Sequence, residues 1–182
     1  IVCVQGLGFV GAAMAVCVAS ARDAQDSPIF NVIGVDLPVS SGLAAIAALN
    51  EGRFPCTTTD TKLNAATGMA HEVGNLFATE DDSAYGLAEI IVCDINLDLA
   101  EDKSMPDVNF EGFQAGIRVI GKKMRPGALV IVETTVPPGT CVRIVAKTLS
   151  EELERRGEDP ENFLLAHSFE RVMPGADYFD SI

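Results

Sequence analysis

A glycine-rich turn stands between two apolar stretches at the start of this chain and restricts the folds that it can adopt. Residues 1–4 predict a short buried strand and residues 12–21 predict a helix, and between them stands the sequence Gly6-Leu7-Gly8-Phe9-Val10-Gly11. A strand, a Gly-x-Gly-x-x-Gly turn and a helix together form a dinucleotide-binding fingerprint. This order of elements predicts a βαβ unit that holds a dinucleotide at its first turn.

Each glycine of this turn has a separate expected role. Gly6 allows the tight turn out of the strand, Gly8 lets the backbone approach a pyrophosphate, and Gly11 lets the helix pack closely on the strand. Phe9 and Val10 belong to the same turn, and we expect them to contact the cofactor too. The pyrophosphate is expected at the helix N-terminus, where unpaired N–H groups and the helix dipole favour negative charge.

A carboxylate follows the second apolar run of the chain. Residues 30–35 predict a strand, and Asp36 comes directly after it. This acid lies about 25 residues beyond Gly11, near the spacing expected for a group that hydrogen-bonds the adenosine ribose. A carboxylate here also repels a 2′-phosphate, so it favours NAD over NADP as the cofactor. The alternative is a generic βαβ unit with a surface aspartate.

Composition excludes several classes of partner. The chain has 182 residues, enough for one domain with a sizeable core, and its net charge of −13 argues against nucleic acid or an anionic membrane as partner. Five cysteines without a CxxC pair argue against a disulfide framework or a zinc site, and favour a reduced, cytoplasmic protein. Two histidines exclude a histidine-rich metal site, and no apolar run approaches transmembrane length.

Strand and helix patterns alternate along almost the whole chain. The predicted strands are residues 1–4, 30–35, 75–79, 90–93, 128–132 and 163–167, and the predicted helices are residues 12–21, 43–49, 62–73, 110–124 and 141–156. Gly74 is expected to end the helix of residues 62–73. Ser40 or Ser41 is the expected cap of the second helix, a short helical stretch begins at Asp81, and residues 96–107 predict an acidic loop. About six strands with helices between them indicate a doubly wound, Rossmann-like α/β fold: a mostly parallel sheet with helices on both faces.

Doubly wound sheets bind ligands beyond the carboxyl ends of their strands. Besides the glycine turn, residues 94–97, 133–139 and 167–175 leave such ends. Thr135 lies in a turn stiffened by two prolines, which could hold a hydroxyl against a cofactor or a water, or simply cap the next helix. Glu170 follows the last strand as a candidate general acid or base, and its alternative is a surface ion pair with Arg171.

Several segments occur in the order found in one enzyme family. They are the glycine turn, Asp36, Asn50-x-Gly52-x-x-Pro55, Glu133-Thr134-Thr135-Val136-Pro137-Pro138-Gly139-Thr140 and Glu170-Arg171-Val172-Met173-Pro174-Gly175. On these residues the chain resembles the nucleotide-sugar dehydrogenases of the UDP-glucose/GDP-mannose dehydrogenase family. The resemblance covers essentially the whole chain and corresponds to the family's N-terminal NAD-binding domain.

The resemblance implies a four-electron oxidation of the C6 alcohol of a UDP-sugar to a carboxylate, with two NAD used in succession. In the family, a cysteine captures the aldehyde as a thiohemiacetal, the second NAD oxidises this to a thioester, and the thioester is hydrolysed. The family's motif threonine falls on Thr135, expected to position water, and its glutamate falls on Glu170, expected to act as acid or base in hydrolysis. The form of the last motif resembles the branch acting on UDP-N-acetylhexosamines or their uronate-forming relatives.

The chain also departs from the family pattern. None of its cysteines lies in the family's nucleophile motif, which implies that residues 1–182 are the NAD-binding domain of a longer chain, inactive alone and a homodimer or higher when complete. Asp94-Ile95-Asn96-Leu97 replaces a Pro-Thr-Pro-like turn, and His167-Ser168-Phe169 replaces Ser/Asn-Pro before the glutamate. Two alternatives stay open: the cofactor domain of a two-electron dehydrogenase of β-hydroxyacid or 6-phosphogluconate type, and a non-catalytic nucleotide-binding module.

Overall fold

A six-stranded parallel sheet forms the centre of the computed structural model, which describes residues 1–100, 107–173 and 175–182. The strands in chain order are β1 (Val2–Gln5), β2 (Val32–Val35), β3 (Leu76–Thr79), β4 (Ile90–Cys93), β5 (Asp98–Ala100), β6 (Asp107–Asn109), β7 (Leu129–Val132) and β8 (Leu164–His167). The large sheet has the order β3-β2-β1-β4-β7-β8, and β5 and β6 form a separate antiparallel pair. The direction of winding reverses between β1 and β4, which confirms the predicted doubly wound α/β fold.

Helices cover both faces of this sheet. They are α1 (Phe9–Ser20), α2 (Ser40–Asn50), α3 (Thr61–Val73), α4 (Glu111–Lys123) and α5 (Lys147–Arg155), and α5 continues a π-helical stretch, Cys141–Ala146. Because side chains alternate along a strand, Val2 and Val4 of β1 pack with α1, α2 and α3, whereas Cys3 packs with α4 and α5. In the described ranges, no helix has the length and apolar character needed to cross a membrane.

The ends of two helices test the predicted caps. α3 begins after Asp60, whose carboxylate accepts hydrogen bonds from the N–H groups of Lys62 and Leu63, and it ends at Gly74 in the left-handed conformation, as predicted. α2 differs from prediction, because Val39 occupies the cap position and Ser40 already lies in the first turn. The Leu43 N–H bonds the Val39 carbonyl at 2.9 Å, so the helix starts before either serine can cap it.

The prediction of a loop over residues 96–107 is wrong at both of its ends. Asp98–Ala100 pairs with Asp107–Asn109 as a short antiparallel ladder, and residues 101–106 lie outside the described part of the chain. Strands of three residues are too short to produce a readable hydrophobic alternation. The first helix also begins earlier than predicted, at Phe9, inside the glycine turn.

The segment after β8 folds back onto α1. Tyr178 is fully buried, its ring stacks on Phe9 with 4.5 Å between centroids, and it meets the Phe54 ring edge-on at 6.1 Å. The Tyr178 hydroxyl donates a hydrogen bond to the Phe9 carbonyl oxygen. The Phe179 N–H donates to the Asp60 carboxylate at 2.7 Å, so the segment is tied both to α1 and to the cap of α3.

Candidate functional site

A cleft opens where the carboxyl ends of β1, β4, β7 and β8 meet, at the reversal of strand order. It encloses about 320 Å³. Its lining residues are Gly8, Phe9, Val10, Gly11, Asp94, Ile95, Asn96, Leu97, Glu133, Thr134, Thr135 and Glu170. The structure therefore brings together the glycine turn and the three other loops that sequence reasoning placed at strand ends.

The three glycines of the turn differ in what a side chain would meet. Gly6 has a φ of +89°, and an added Cβ would lie 2.6 Å from the Asp94 carbonyl oxygen; on Gly11 it would lie 1.9 Å from the Gly6 carbonyl oxygen. An added Cβ on Gly8 would meet no atom of the described residues within 4 Å. The fold itself requires Gly6 and Gly11, whereas the space beside Gly8 is left open toward the cleft.

The N-terminus of α1 faces this open space. Gly8 is the residue before the helix, no side chain of the described residues caps it, and the first turn holds no acidic residue. Phe9, Val10 and Gly11 form that first turn and line the cleft. Their N–H groups and the positive end of the helix dipole fit a pyrophosphate, which agrees with a glycine that leaves room for one.

Asp36 is positioned beside the glycine turn by two backbone hydrogen bonds. Its Oδ2 accepts from the Leu7 N–H at 2.7 Å and its Oδ1 accepts from the Leu37 N–H at 2.7 Å. A carboxylate has about four acceptor sites, so both oxygens can still accept from ligand hydroxyls. The geometry fits the ribose-binding acid that the sequence predicts at the end of β2.

The two adjacent threonines after β7 have different environments. The Thr134 hydroxyl donates to the Ile95 carbonyl oxygen at 2.7 Å, which ties the loop after β7 to the loop after β4. Thr135 is exposed and lines the cleft. The first threonine therefore holds the loop in place, and the hydroxyl of the second is accessible from the cleft.

Glu170 is half-buried and reaches the same cleft from the segment after β8. Its carboxylate accepts a hydrogen bond from the Val172 N–H, which fixes the side chain within its own turn. Arg171 places its guanidinium carbon 4.6 Å from the centre of the Phe169 ring. The Arg171 guanidinium thus stacks on the Phe169 ring, whereas the alternative for Glu170 was an ion pair with Arg171.

Two carboxyl groups of the cleft, the half-buried Asp94 and the buried Glu133, were missed as individual site residues. Burial, and after it the charges of Glu133 and Glu170, raise the pKa of Asp94 to about 8. Burial and then Glu170 also raise the pKa of Glu133, whose exposed fraction is 8%. Both acids directly follow strands, so the rule that sites gather at strand ends was the signal that could have identified them.

The charges in the cleft are of one sign. Its described lining contains three carboxyl groups and no Lys, Arg or His. Among the described residues, no cluster of His, Cys, Asp and Glu side chains has an arrangement that could hold a metal ion. An anion in this cleft is therefore held by backbone N–H groups rather than by basic side chains.

Comparisons with known proteins agree with this geometry. The model of the UDP-glucose/GDP-mannose dehydrogenase family, NAD binding domain, matches residues 1–182. A UDP-N-acetyl-D-mannosamine dehydrogenase of Pyrococcus horikoshii is 31% identical over 96% of this chain. An NDP-N-acetyl-D-galactosaminuronic acid dehydrogenase of Ralstonia nicotianae is 28% identical over 94% of it.

A solved structure is similar along the same length. The crystal structure of an NDP-N-acetyl-D-galactosaminuronic acid dehydrogenase from Methanosarcina mazei aligns with 98% of this chain at 30% identity and a TM-score of 0.85. The chain corresponds to 36% of that structure and to 37% of the length of both curated relatives. The similarity therefore concerns one part of longer proteins.

Proposed function

The chain belongs to the UDP-glucose/GDP-mannose dehydrogenase family and matches its NAD binding domain, and from this premise we propose that it is the cofactor-binding domain of a UDP-sugar 6-dehydrogenase. The substrate class we propose is a UDP-N-acetylhexosamine, oxidised at C6 to the uronate with two NAD in succession. The names of the relatives above support an N-acetylated sugar. The observation that carries the proposal is the cleft beside Gly8, where an uncapped helix N-terminus meets Thr135 and Glu170.

In this proposal, the glycine turn and Asp36 hold the two halves of the cofactor. The first-turn N–H groups of α1 bind the pyrophosphate beside Gly8, and Asp36 accepts hydrogen bonds from the adenosine ribose. β2 and β4 lie on opposite sides of β1, so Asp36 and the cleft lie on opposite sides of the turn. The loops after β4 and β7, in the cleft, would then hold the nicotinamide half.

Bound NAD supplies a ring that accepts a hydride from the sugar carbon. The residues of this chain would act in the last step, on the water that hydrolyses the thioester. Thr135, exposed at the cleft, orients a water by its hydroxyl, and Glu170 takes a proton from that water. The Val172 N–H keeps the Glu170 carboxylate in one orientation, which such a proton transfer requires.

We also propose that residues 1–182 are one domain of a longer enzyme. The chain covers 37% of the length of the curated relatives, and its five cysteines lie outside the family's nucleophile motif. A further domain would supply the cysteine and most of the sugar site, and the complete enzyme would be a homodimer or higher. Free thiols at all five cysteines favour the reducing cytoplasm as its location.

The test is the yield of NADH per sugar. The full-length parent protein is given limiting UDP-glucose, UDP-N-acetylglucosamine or UDP-N-acetylmannosamine with excess NAD, and NADH is read by absorbance. We expect two NADH for each N-acetylated sugar consumed. One NADH would indicate a two-electron dehydrogenase, and no NADH with any sugar would leave a nucleotide-binding module.

A further inference from the structure

We propose that the carboxyl groups of Asp94 and Glu133 make the cleft select the oxidised cofactor, NAD⁺, over NADH. This inference rests on the proposed function for the position of the nicotinamide. It goes further because it assigns to two residues a preference for one redox state of the cofactor. These residues are distinct from the glycine turn, Asp36, Thr135 and Glu170.

The two acids lie side by side at the floor of the cleft. β4 and β7 are neighbours whose last residues, Cys93 and Val132, are paired, and the Glu133 N–H bonds the Cys93 carbonyl at 3.1 Å. Asp94 also lies directly under α1, because an added Cβ on Gly11 would come within 3.1 Å of the Asp94 Cβ. Asp94 is thus adjacent to the glycine turn, and both acids line the cleft in which the nicotinamide half is proposed to bind.

One oxygen of each carboxyl group is buried and has no hydrogen-bond donor among the described residues. Asp94 Oδ2 and Glu133 Oε2 are inaccessible to solvent and accept no hydrogen bond from the residues that the structure describes. Glu133 is 8% exposed and lines the cleft. A buried acceptor without a donor is costly, and a positively charged ligand group placed beside it removes part of that cost. These two oxygens therefore point to a cationic ligand group.

The groups that face Asp94 do not supply the missing positive charge. They are Glu133 after β7, Glu170 after β8, the Cys93 thiol and the Tyr178 hydroxyl. The described lining of the cleft has no basic side chain. Ionised carboxyl groups at this place attract a cation and repel further negative charge.

The oxidised and reduced cofactors differ in the relevant charge. The nicotinamide ring is positive in NAD⁺ and neutral in NADH, whereas the pyrophosphate and adenosine are the same in both. The N-terminus of α1 and Asp36 therefore contact parts common to the two forms and cannot distinguish them. Only groups near the ring can do so, and the charged side chains that the structure describes there are carboxyl groups, which are negative once ionised. In the proposed reaction, this preference would favour exchange of the first NADH for a second NAD⁺.

The test compares three ligands on the 182-residue chain and its variants Asp94→Asn and Glu133→Gln. Calorimetry gives the dissociation constants of NAD⁺, NADH and ADP-ribose, which lacks the nicotinamide, at about pH 9. We expect each substitution to reduce the ratio of the NADH constant to the NAD⁺ constant by about tenfold, as expected for a unit charge within about 10 Å. ADP-ribose should bind each variant at least as tightly as it binds the unchanged chain, because the substitution removes a negative charge near its pyrophosphate, and this binding also shows that each variant is folded.

A pH series tests whether the preference depends on ionisation of Asp94, and a control variant tests whether the position of the charge matters. Asp94 has a pKa of about 8, so the preference of the unchanged chain for NAD⁺ should be stronger at pH 9 than at pH 6. Near pH 8, binding of NAD⁺ should release protons, seen as a binding enthalpy that depends on the buffer, and Asp94→Asn should abolish this dependence. Glu72→Gln removes the same charge from an exposed residue of α3 and should leave the ratio unchanged.

The possible failures can be distinguished. If the unchanged chain binds all three ligands and the ratio is the same in both variants at pH 9, the inference is overturned and the proposed function stands. If the unchanged chain binds none of the three, the position of the cofactor is wrong, and the proposed function fails together with the inference.

Discussion

Gly11 packs so closely on Gly6 that a single added carbon would lie 1.9 Å from the Gly6 carbonyl oxygen. A Cβ added to Gly8, between them, would have no atom within 4 Å in the part of the chain that the structure describes. One motif thus contains glycines needed for two different reasons. The first is close packing within the chain, and the second is space for a ligand.

This contrast predicts opposite effects for two alanine substitutions. Gly11→Ala should lower the free energy of unfolding by about 3 kcal/mol or more, because backbone must move to admit the methyl group. Gly8→Ala should change that free energy by less than about 0.5 kcal/mol and weaken NAD binding at least about tenfold. Urea unfolding and calorimetry on both variants check this. Equal loss of stability in the two would contradict the assignment of Gly8 to the ligand.

Substitution of Asp36 should affect both cofactor affinity and cofactor choice. Asp36→Ala should weaken NAD binding by about 1–2 kcal/mol, the scale of a lost charge-assisted hydrogen bond, and reduce discrimination against NADP. Asp36→Asn is the matched control, since it keeps an acceptor for the buried Leu7 N–H while removing the charge. Unchanged affinity of Asp36→Ala for both cofactors would place the ribose elsewhere.

Glu170 should matter for turnover and not for cofactor binding. In the full-length protein, Glu170→Gln should lower kcat by about 100-fold, because the amide cannot accept a proton, with NAD affinity within about twofold. Steady-state kinetics and NAD titration measure the two effects. Glu161→Gln, an exposed residue before β8, serves as the control. A parallel loss of turnover and affinity would make Glu170 a structural residue.

The raised pKa of Asp94 should make the stability of the chain depend on pH. Its folded value of about 8 lies above the ordinary value of 3.8, so the folded state holds this proton more tightly than the unfolded state. The contribution to the free energy of unfolding is therefore complete below about pH 4 and falls as pH rises to about 8, by at most about 1.4 kcal/mol per unit.

Asp94→Asn isolates this contribution. Urea unfolding of the chain and the variant at pH 5, 7 and 9 should show the variant gaining stability relative to the unchanged chain as pH rises, because it has no carboxyl group to ionise. Glu72→Gln should follow the unchanged chain. A difference between Asp94→Asn and the unchanged chain that is constant with pH would argue against a raised pKa.

Tyr178 should stabilise the glycine turn through one hydrogen bond. Tyr178→Phe keeps the ring stacked on Phe9 and removes the hydroxyl that donates to the Phe9 carbonyl oxygen. We expect a loss of about 0.5–1.5 kcal/mol in the free energy of unfolding, measured by urea titration. Tyr178→Ala, which also removes the buried ring, should cost about 3–5 kcal/mol. Equal stability of Tyr178→Phe and the unchanged chain would show that the hydroxyl contributes nothing.

Much of the fold could be predicted because local patterns and global structure agree. The run Ile90–Cys93 is apolar throughout, and it forms the predicted strand with the predicted bounds. Gly74, predicted to end a helix, does so with a positive φ. The resemblance to the family, the NAD cofactor and the doubly wound sheet were likewise confirmed.

What sequence reasoning missed depends on contacts between distant residues. Tyr178 is buried by Phe9 and Phe54, more than 100 positions away, and no local pattern marks it. Asp94 and Glu133 are ordinary acids in the sequence and become unusual only because β4 and β7 place them side by side. The assignment of Thr135 and Glu170 to catalysis and of the glycine turn and Asp36 to cofactor binding stays a prediction.

The position of β8 in the sheet has a consequence for association between molecules. Within the described part of the chain, β8 pairs with β7 alone, so one row of its backbone N–H and C=O groups has no strand beside it, and Leu164 is 62% exposed. Such an edge is a template on which a strand of another molecule can add. The net charge of −13 opposes this addition, because like-charged copies repel one another before their edges meet. A strongly acidic surface therefore acts as protection against aggregation of this sheet.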